Sequence, residues 1–389
     1  METNFLSYFL FGGVLLLTTF VYWLSRRQDY FKNRGIPYSK SLPLLGSFGD
    51  ALMGKTAFYD HVITLCNKPE VKDKPFFGMF LFHKPGLMIT DPDLIKRVLV
   101  KDFSSFSNRY SGAQDHDPMG FYQLFSVKGS IWKPLRSKLS PFFSSGKLKA
   151  MYYLINKAGN DLNQYVESRL TKNDKVELEL KEISSLYSTD VIASCAFGIE
   201  ANSLQNPDGE FRKAGMNIFN MTFWRSLELP AWYMLPQVTK FLNFYTFTKS
   251  TTNFIESSIT HVMSEREKNG NKRNDLIDTL IELKKSGKDS DGLEMTKDML
   301  MAQAAVFFAA GKFSCCFETS SATQSFALYH IAMNDGIQDR IRNEIRDILT
   351  RTDGEVTYEA VMNINEMPYL HQIVYETLRM YPILPVLDR

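Results

Sequence analysis

The sequence has few cysteines, almost no excess charge of either sign and no internal repeat. It contains four cysteines and none of them has Cys-x-x-Cys spacing, which excludes a dense disulfide framework and indicates a thiol-reducing compartment. The formal net charge is only +2, so charge gives no basis for nucleic-acid binding. No motif indicates a metal ion held by protein side chains alone. The functional residues must therefore be sought among isolated polar groups in apolar surroundings.

The composition is otherwise that of an ordinary globular protein. Of 389 residues, 44% are hydrophobic and 23% are charged, enough to bury a sizeable core. Aromatic residues reach 13%, with 30 phenylalanines. This aromatic content suits either large apolar cavities or simple phenylalanine-rich packing.

One long uncharged run is present, at residues 5–24. Twenty helical residues extend ~30 Å, the thickness of a bilayer core. Basic residues follow the run at Arg26, Arg27, Lys32 and Arg34, which predicts a cytosolic body behind a single membrane anchor. A cleaved signal peptide is the alternative, but no Lys or Arg precedes the run and no small-x-small site follows it.

The rest of the chain divides into a connector and a body. We assign residues 1–28 to the anchor, 29–50 to a proline-containing connector and 51–389 to one globular body. Residues 76–82 and 86–90 have strand character, separated by Lys84-Pro85-Gly86. After about residue 130 the apolar spacing is helical, interrupted by the polar loops KNGNKRND and KKSGKDSDG. The prediction is a mainly α fold with a small N-terminal β-sheet.

Two further segments are apolar or loop-like. Residues 227–237, LELPAWYMLPQ, lie between helical segments and suit either a membrane interface or the core. Residues 106–125 read as a loop that contributes to a substrate pocket, without identifying the substrate.

Two pairs of polar residues have helical spacing. Trp132 and Arg136 lie four residues apart, so an indole N–H and a guanidinium share one helix face and could hold a carboxylate or phosphate. A packed tryptophan beside a surface arginine is the alternative. Glu376 and Arg379 lie three residues apart, between apolar neighbours, and predict an ion pair that is either solvated or partly buried.

A third pair lies in the most apolar part of the chain. Glu318 and Thr319 follow a helical run that contains Ala310-Gly311, separated from it by residues 312–316, KFSCC. The threonine could bond back to the preceding turn and the glutamate could reach solvent. A buried acid and alcohol beside a cavity could instead relay protons.

In this order, these features resemble the microsomal cytochrome P450 monooxygenases. The resemblance covers essentially the whole chain and is carried by the anchor, the proline-containing connector, W-x-x-x-R, the F-E-T-S-S helix and E-x-x-R. The segments FSVKGSIWKPLRSKLSPFFSSGKLKAM and MPYLHQIVYETLRMYPILPVLDR are similar to the insect xenobiotic-metabolising type. The resemblance implies a helix-rich fold that holds heme between a long central helix and a proximal loop.

The resemblance also implies roles for the three pairs. Trp132 and Arg136 match the pair that binds a heme propionate. Glu318 and Thr319 match the acid–alcohol pair over the distal heme face, which steadies dioxygen and helps to deliver protons. The ion pair of Glu376 and Arg379 matches the buried pair that locks the core behind heme.

The chain departs from this family in two respects. The family reads A-G-F-E-T-S-S without interruption, and five extra helical residues add about 500° of rotation and ~7.5 Å of length. The insert either bulges out or displaces one half of the helix, unless it is an artefact of the recorded sequence. The family's heme-ligand cysteine lies beyond E-x-x-R, and no cysteine here has that context. The chain is therefore expected to be C-terminally incomplete and inactive as written.

The expected activity is that of a heme-thiolate monooxygenase. It would oxidise small lipophilic substrates, xenobiotics or endogenous lipids, with dioxygen and with NADPH electrons delivered by NADPH–cytochrome reductase. Membrane lipid is the second expected partner and the endoplasmic reticulum membrane the expected location. The alternatives are a non-catalytic membrane-bound binder of apolar ligands and a structural helical fragment without a ligand.

Overall fold

The structure is a computed structural model. It describes residues 11–15, 18–20, 22, 29–42, 44–170, 177–218, 222–286, 293–313 and 318–389, without the side chains of 309–313 and 318. Within this part of the chain, no helix has both the length and the apolar character needed to cross a membrane. Most of the predicted anchor, residues 5–24, lies outside the described residues.

Short helices and one hairpin make up the N-terminal part of the chain. These are α1 (Asp29–Lys32), α2 (Gly49–Leu52), α3 (Phe58–Cys66), β1 (Phe76–Leu81), β2 (Lys84–Ile89), α4 (Pro92–Lys96), a π-helical turn (Arg97–Lys101) and a 3-10 turn (Phe103–Ser105).

Helices make up the remainder. In chain order they are α5 (Pro118–Phe121), α6 (Gly129–Leu139), a 3-10 turn (Ser140–Phe143), α7 (Ser145–Leu170), α8 (Leu180–Ile192), a π-helical turn (Ala193–Phe197), α9 (Glu210–Asn217), α10 (Phe223–Met234), α11 (Pro236–Phe241), α12 (Lys249–Asn269), α13 (Leu276–Lys285), α14 (Lys297–Phe313), α15 (Glu318–Ala332), α16 (Asp335–Arg351), α17 (Tyr358–Met362) and α18 (Pro368–Met380). The predicted class, mainly α with a small sheet, is confirmed.

The chain forms two compact units. The first comprises residues 1–111, 230–238 and 385–389, and the second comprises residues 112–229 and 239–384.

The hairpin of the first unit lies where the sequence predicts it, but its turn is displaced. The strands β1 and β2 pair antiparallel, with Leu81 opposite Lys84. The turn is therefore Phe82–His83, and the expectation of a turn at residues 84–86 is wrong. Phe82 takes the left-handed conformation, with φ of 54°. Pro85 is tolerated inside β2 because it lies in a two-stranded sheet whose outer edge needs no donor.

Close packing fixes this hairpin against α1. Phe31 is buried, and a Cβ atom on Gly78 would lie 2.4 Å from its ring, so only glycine fits there. Phe48, Leu65 and Phe77 form the adjoining core together with Met234.

Part of the apolar segment at residues 227–237 packs into the protein core. Trp232 and Met234 are only 8% and 7% exposed. The backbone carbonyl of Met234 accepts a hydrogen bond from the Tyr110 hydroxyl at 3.1 Å. Of the two alternatives left open by the sequence, packing is the one observed for these side chains.

The second unit contains the predicted amphipathic helices. The periodic segments correspond to α7, α8, α12 and α14. Their apolar faces meet in one core, whose members include Leu135, Leu139, Ile255, Ile259 and Leu276. An aromatic group of Phe197, Phe211, Phe254 and Phe308 packs edge to face inside it. The high phenylalanine content therefore serves packing here.

Candidate functional site

Thr319 is the most unusual polar residue of the predicted site. It lies in the first turn of α15, a helix that packs against α8 and α18, and its side chain is only 6% exposed. The hydroxyl oxygen Oγ1 is buried and has no hydrogen-bond partner among the described residues. The carbonyls of the preceding turn, at residues 315 and 316, lie outside the described residues, so the alternative of bonding back to that turn stays open. An unpaired buried hydroxyl is costly, and such a group requires an explanation.

The neighbouring acid and the insert can be located only by their backbone. Glu318 begins α15, and its side chain lies outside the described part of the structure. The central helix is described as two helices, α14 ending at Phe313 and α15 beginning at Glu318. Two insert residues thus continue α14, while 314–316 lie outside the described residues. Whether the insert bulges stays an open prediction.

Trp132 and Arg136 share a helix, as the spacing predicts. Both lie on α6, a helix that buries Leu135 and Leu139. The indole of Trp132 is half-buried against the core, whereas Arg136 is exposed. Within the described residues, the Arg136 guanidinium makes no ion pair. The pair thus presents an uncompensated cation beside an aromatic edge, which suits an anionic group.

Glu376 and Arg379 form the predicted ion pair in its solvated alternative, and the burial that the resemblance implies is not observed. On α18 the guanidinium donates to both carboxylate oxygens, at 2.7 and 2.8 Å. The side chains are 56% and 70% exposed. These hydrogen bonds lower the pKa of Glu376. The pair is exposed because, among the described residues, no element covers this face of α18, where Tyr375, Leu378 and Met380 are exposed as well.

No direct bond joins these three pairs. Among the described residues, no hydrogen bond or ion pair links Trp132 or Arg136 to Thr319, or either of them to the ion pair on α18. The structure thus confirms the local arrangement within two of the pairs and leaves their assembly around a ligand as a prediction.

A basic pair in the first unit was missed by the sequence analysis. Asp388 accepts hydrogen bonds from the backbone and hydroxyl of Ser111, at 2.8 and 2.9 Å, and pairs with Arg109 at 3.2 Å. Burial acts to raise the pKa of Asp388, but these bonds hold it below its usual value. Burial and the neighbouring Arg109 lower the pKa of Arg389, and its buried Nε has no hydrogen-bond partner among the described residues.

Arg389 donates from Nη1 to the backbone carbonyl of Asp388 at 2.9 Å, which leaves its Nε without a partner among the described residues. The unpaired Nε of Arg389 therefore suits a ligand carboxylate. The signal in the sequence was the pair of short segments SNRY and VLDR, whose relation is visible only after folding.

Neither described cysteine is a candidate thiolate. Cys195 is buried, and burial together with Asp275 raises the pKa of its thiol to about 12. Burial also raises the pKa of Cys66. The described residues contain no cluster of three or more metal-ligating side chains. Cys315 and Cys316 lie outside the described residues.

The comparisons with known proteins agree with the geometry. The cytochrome P450 profile matches residues 37–389. Cytochrome P450 6k1 of Blattella germanica is 40% identical over 394 residues, covering 97% of this chain and 72% of that protein. Probable cytochrome P450 6g2 of Drosophila melanogaster is 39% identical over 376 residues, covering 94% and 71%. Probable cytochrome P450 6w1 of the same fly is 39% identical, covering 96% and 71%.

The chain belongs to the cytochrome P450 family, and the predicted insect type is confirmed. By family it is a monooxygenase, an oxidoreductase whose cofactors are heme and reductase-supplied NADPH electrons.

Proposed function

We propose that this chain belongs to a monooxygenase that oxidises small lipophilic compounds, xenobiotics or endogenous lipids, with dioxygen. The observation that carries the proposal is the buried, unpaired Oγ1 of Thr319. A hydroxyl in that state has both a proton to donate and lone pairs to offer to a bound oxygen species. The cost of leaving it unpaired is about 1–3 kcal/mol, which a purely structural position has no reason to bear.

Heme, when bound, supplies the iron that activates dioxygen. Trp132 and Arg136 hold a heme propionate through the indole N–H and the guanidinium. The buried Nε of Arg389, beside Arg109, provides a further donor for a carboxylate within its own unit. Glu318 delivers protons towards the Thr319 hydroxyl. The ion pair on α18 fixes the geometry of that helix.

Neither described cysteine has the sequence context of the family's thiolate ligand, and Cys195 is buried in the core. We therefore expect the polypeptide of residues 1–389 to bind heme weakly and without thiolate ligation. The measurement is the carbon monoxide difference spectrum of the reduced protein. A thiolate-type band would contradict this expectation, and its loss in Cys315→Ser and Cys316→Ser would assign the ligand to the insert.

Matched substitutions at Thr319 test the role of the hydroxyl. Thr319→Val should raise the free energy of unfolding of the 389-residue chain by about 1–3 kcal/mol, because it removes an unpaired buried hydroxyl. In any heme-loaded preparation with a thiolate-type band, the same change should uncouple NADPH consumption from substrate oxidation, whereas Thr319→Ser should retain coupling. Equal coupling in the valine and serine variants would refute the assigned role.

The heme contact has its own control. Arg136→Ala should weaken association of added hemin, followed by absorbance, whereas Lys133→Ala on the same helix should not. Equal hemin binding by both variants would remove Arg136 from the site.

We also propose that residues 5–24 anchor the protein in the endoplasmic reticulum membrane with a cytosolic body. The uncharged run and the basic residues after it support this topology. Deletion of residues 1–28 should release the protein in carbonate extraction. A deletion variant that stays in the pellet as an integral protein would contradict it.

NADPH–cytochrome reductase is the proposed electron donor, and it would dock at the basic residues around α6. Lys133 and Arg136 are exposed there. Lys149 forms an ion pair with Glu359, and Lys147 bonds Asn274 at 3.3 Å, so part of the predicted basic face is already engaged. Charge reversal of Lys138, Lys147 and Lys149 should slow reductase coupling, most strongly at low salt. Unchanged coupling would exclude this face.

A further inference from the structure

Residues 299–310 of α14 contain a single polar side chain, that of Gln303. It is fully buried, as are its neighbours Ala302, Ala304 and Ala305. Burying an amide costs free energy unless its donors and its acceptor are paired. The partners of Gln303 therefore indicate what this residue does in an otherwise apolar stretch of helix.

The Gln303 amide is paired on both sides. Its Oε1 accepts the backbone N–H of Leu124 at 3.1 Å, and its Nε2 donates to the backbone carbonyl of Tyr122 at 2.7 Å. The same Nε2 donates to the carbonyl of Met299, one turn earlier on α14, at 3.1 Å. An amide has one acceptor oxygen and two N–H donors, so this arrangement uses every group. Gln303 thus fastens residues 122–124 to α14.

The segment that Gln303 holds leads directly into α6 and is bonded internally. The backbone N–H groups of Ser126 and Val127 both donate to the carbonyl of Gln123 at 3.0 Å. The side-chain Nε2 of Gln123 donates to Ser126 Oγ, also at 3.0 Å. Because these bonds make the turn stiff, a position fixed at residues 122–124 is passed on to the beginning of α6.

The first half of α6 depends on this support more than the second half does. Leu135 and Leu139 are fully buried and anchor the second half in the core. Pro134 lies inside α6 and has no N–H, so the preceding turn lacks one helical hydrogen bond. Trp132 lies on the side of this proline that Gln303 supports.

We propose that Gln303 is a positioning residue for the pair Trp132 and Arg136. It holds the approach to α6 against α14, so that the indole and the guanidinium are already in place when a heme propionate arrives. Such preorganisation lowers the entropic cost of binding. The inference rests on the proposed function, because the propionate contact of this pair is itself a proposal. It differs from a packing role because it depends on the three hydrogen bonds and not on the volume of the side chain.

Hydrogen–deuterium exchange of the full chain tests the contact itself. Methionine has a similar length and makes none of these bonds, so in Gln303→Met the amides of residues 120–128 should exchange at least about tenfold faster. Gln372→Met, at an exposed position of α18, is the matched control and should leave these amides unchanged. Equal exchange in the parent and in Gln303→Met would overturn the proposal.

Gln303→Glu tests the hydrogen bonds within one variant and decides the question if the methionine variant does not fold. A protonated carboxyl can accept from Leu124 and donate to Tyr122, whereas an ionised carboxylate faces the Tyr122 carbonyl without a proton. Exchange of residues 120–128, relative to the parent at the same pH, should be unchanged at about pH 5 and faster at about pH 9. A ratio that does not change with pH would overturn the proposal.

Association of added hemin, followed by absorbance, tests the effect on α6. Gln303→Met should weaken hemin binding at least about twofold in the parent and not in the Arg136→Ala background, because it acts through the pair. If the methionine variant is unfolded, Gln303→Glu at the two pH values takes its place. An equal effect in both backgrounds would overturn this inference alone. Unchanged binding in Arg136→Ala by itself would overturn the propionate contact as well.

Discussion

Two of the arginine–carboxylate sites in the second unit have opposite surroundings. In one, Arg266 donates to both oxygens of Asp275, at 2.5 and 2.6 Å, and to Asp278 at 2.9 Å. Asp275 is fully buried and its two partners are 8% exposed. In the other, Arg379 holds Glu376 with equally good geometry, but both side chains are mostly exposed. We refer to the first set of three residues as the Arg266 cluster.

The difference between these sites lies in what surrounds the charges. A pair spaced three residues apart on one helix forms wherever that helix forms, and water screens it. The Arg266 cluster requires α12, α13 and the loop between them to come together, which removes its charges from water. Its members depend on one another because a single buried charge without its partner is strongly unfavourable. The spacing of residues therefore predicts that a pair forms, but its burial decides how much it contributes to the free energy of unfolding.

Removal of the buried arginine should have the largest effect. Arg266→Met removes the main cation from two buried carboxylates and leaves Asp275 with the more distant Arg273, at 4.0 Å, so it should lower the free energy of unfolding by about 3–5 kcal/mol. Arg379→Met, the matched control on α18, should cause no measurable loss. Urea denaturation followed by circular dichroism measures both. Equal destabilisation by the two substitutions would mean that burial does not distinguish the sites.

A glycine beside the Arg266 cluster should have the next largest effect. Gly198 has φ of 63°, and an added Cβ would lie 2.0 Å from Nη2 of Arg266. Gly270 ends α12 with φ of 69° and nothing within 4 Å. Gly270→Ala should cost about 1–2 kcal/mol from backbone strain alone. Gly198→Ala should cost that amount and more, because the guanidinium must also move.

One result would contradict the prediction for the two glycines. If the alanine variants at these positions unfold at the same denaturant concentration, the contact between Gly198 and the arginine does not constrain the cluster. A double variant with Arg266→Met then provides the check, since the extra cost of Gly198→Ala should vanish when the guanidinium is absent.

The thiol beside the cluster predicts a smaller, pH-dependent effect. Burial, with a contribution from Asp275, raises the pKa of Cys195 from 9.0 to about 12. The unfolded chain loses this proton first, so between these values the folded state binds more protons and stability falls as pH rises. Cys195→Ala should lack this part of the decline. Identical pH dependence of unfolding in parent and variant would show that the thiol is not shielded.

The exposed pair predicts the smallest effect. Arg379 lowers the pKa of Glu376, so any stabilisation exists above the ordinary pKa of glutamate and disappears as pH falls. Because both side chains are solvated, Glu376→Gln should leave the acid unfolding midpoint unchanged. Asp388→Asn is the contrasting variant, since Asp388 is more buried and bonded to Ser111. A larger shift of the acid unfolding midpoint for Glu376→Gln than for Asp388→Asn would contradict this prediction.

Local pattern predicted much of the fold. The helical segments α7, α12 and α14 and the strands β1 and β2 follow from side-chain periodicity, which depends only on near neighbours in the chain. The turn of the hairpin did not follow, because Pro85 is tolerated in an edge position that the sequence does not reveal. The segment at 227–237 was equally compatible with membrane and core, and only its partners distinguish the two.

The sequence predicted which motifs make up the candidate site, but not the burial or the hydrogen-bond partners of their side chains. The spacing of Trp132 and Arg136 placed them on one helix, yet the unpaired state of the Thr319 hydroxyl could not be known without its surroundings. Arg389 was missed because its neighbour Arg109 is 280 positions away in the chain.

The sequence by itself determined the helical class, the positions of most helices and the family, and it supplied the candidate residues for the site. These features depend on the order of the motifs and on the spacing of residues that are close in the chain, and both can be read from the sequence. Tertiary structure alone decided that the acid of a plain polar loop, Asp275, is wholly buried while the motif pair on α18 faces solvent. It also decided that Thr319 buries a hydroxyl that has no partner in the described part of the chain. Burial and hydrogen bonding depend on segments distant in the chain, and no local spacing encodes them.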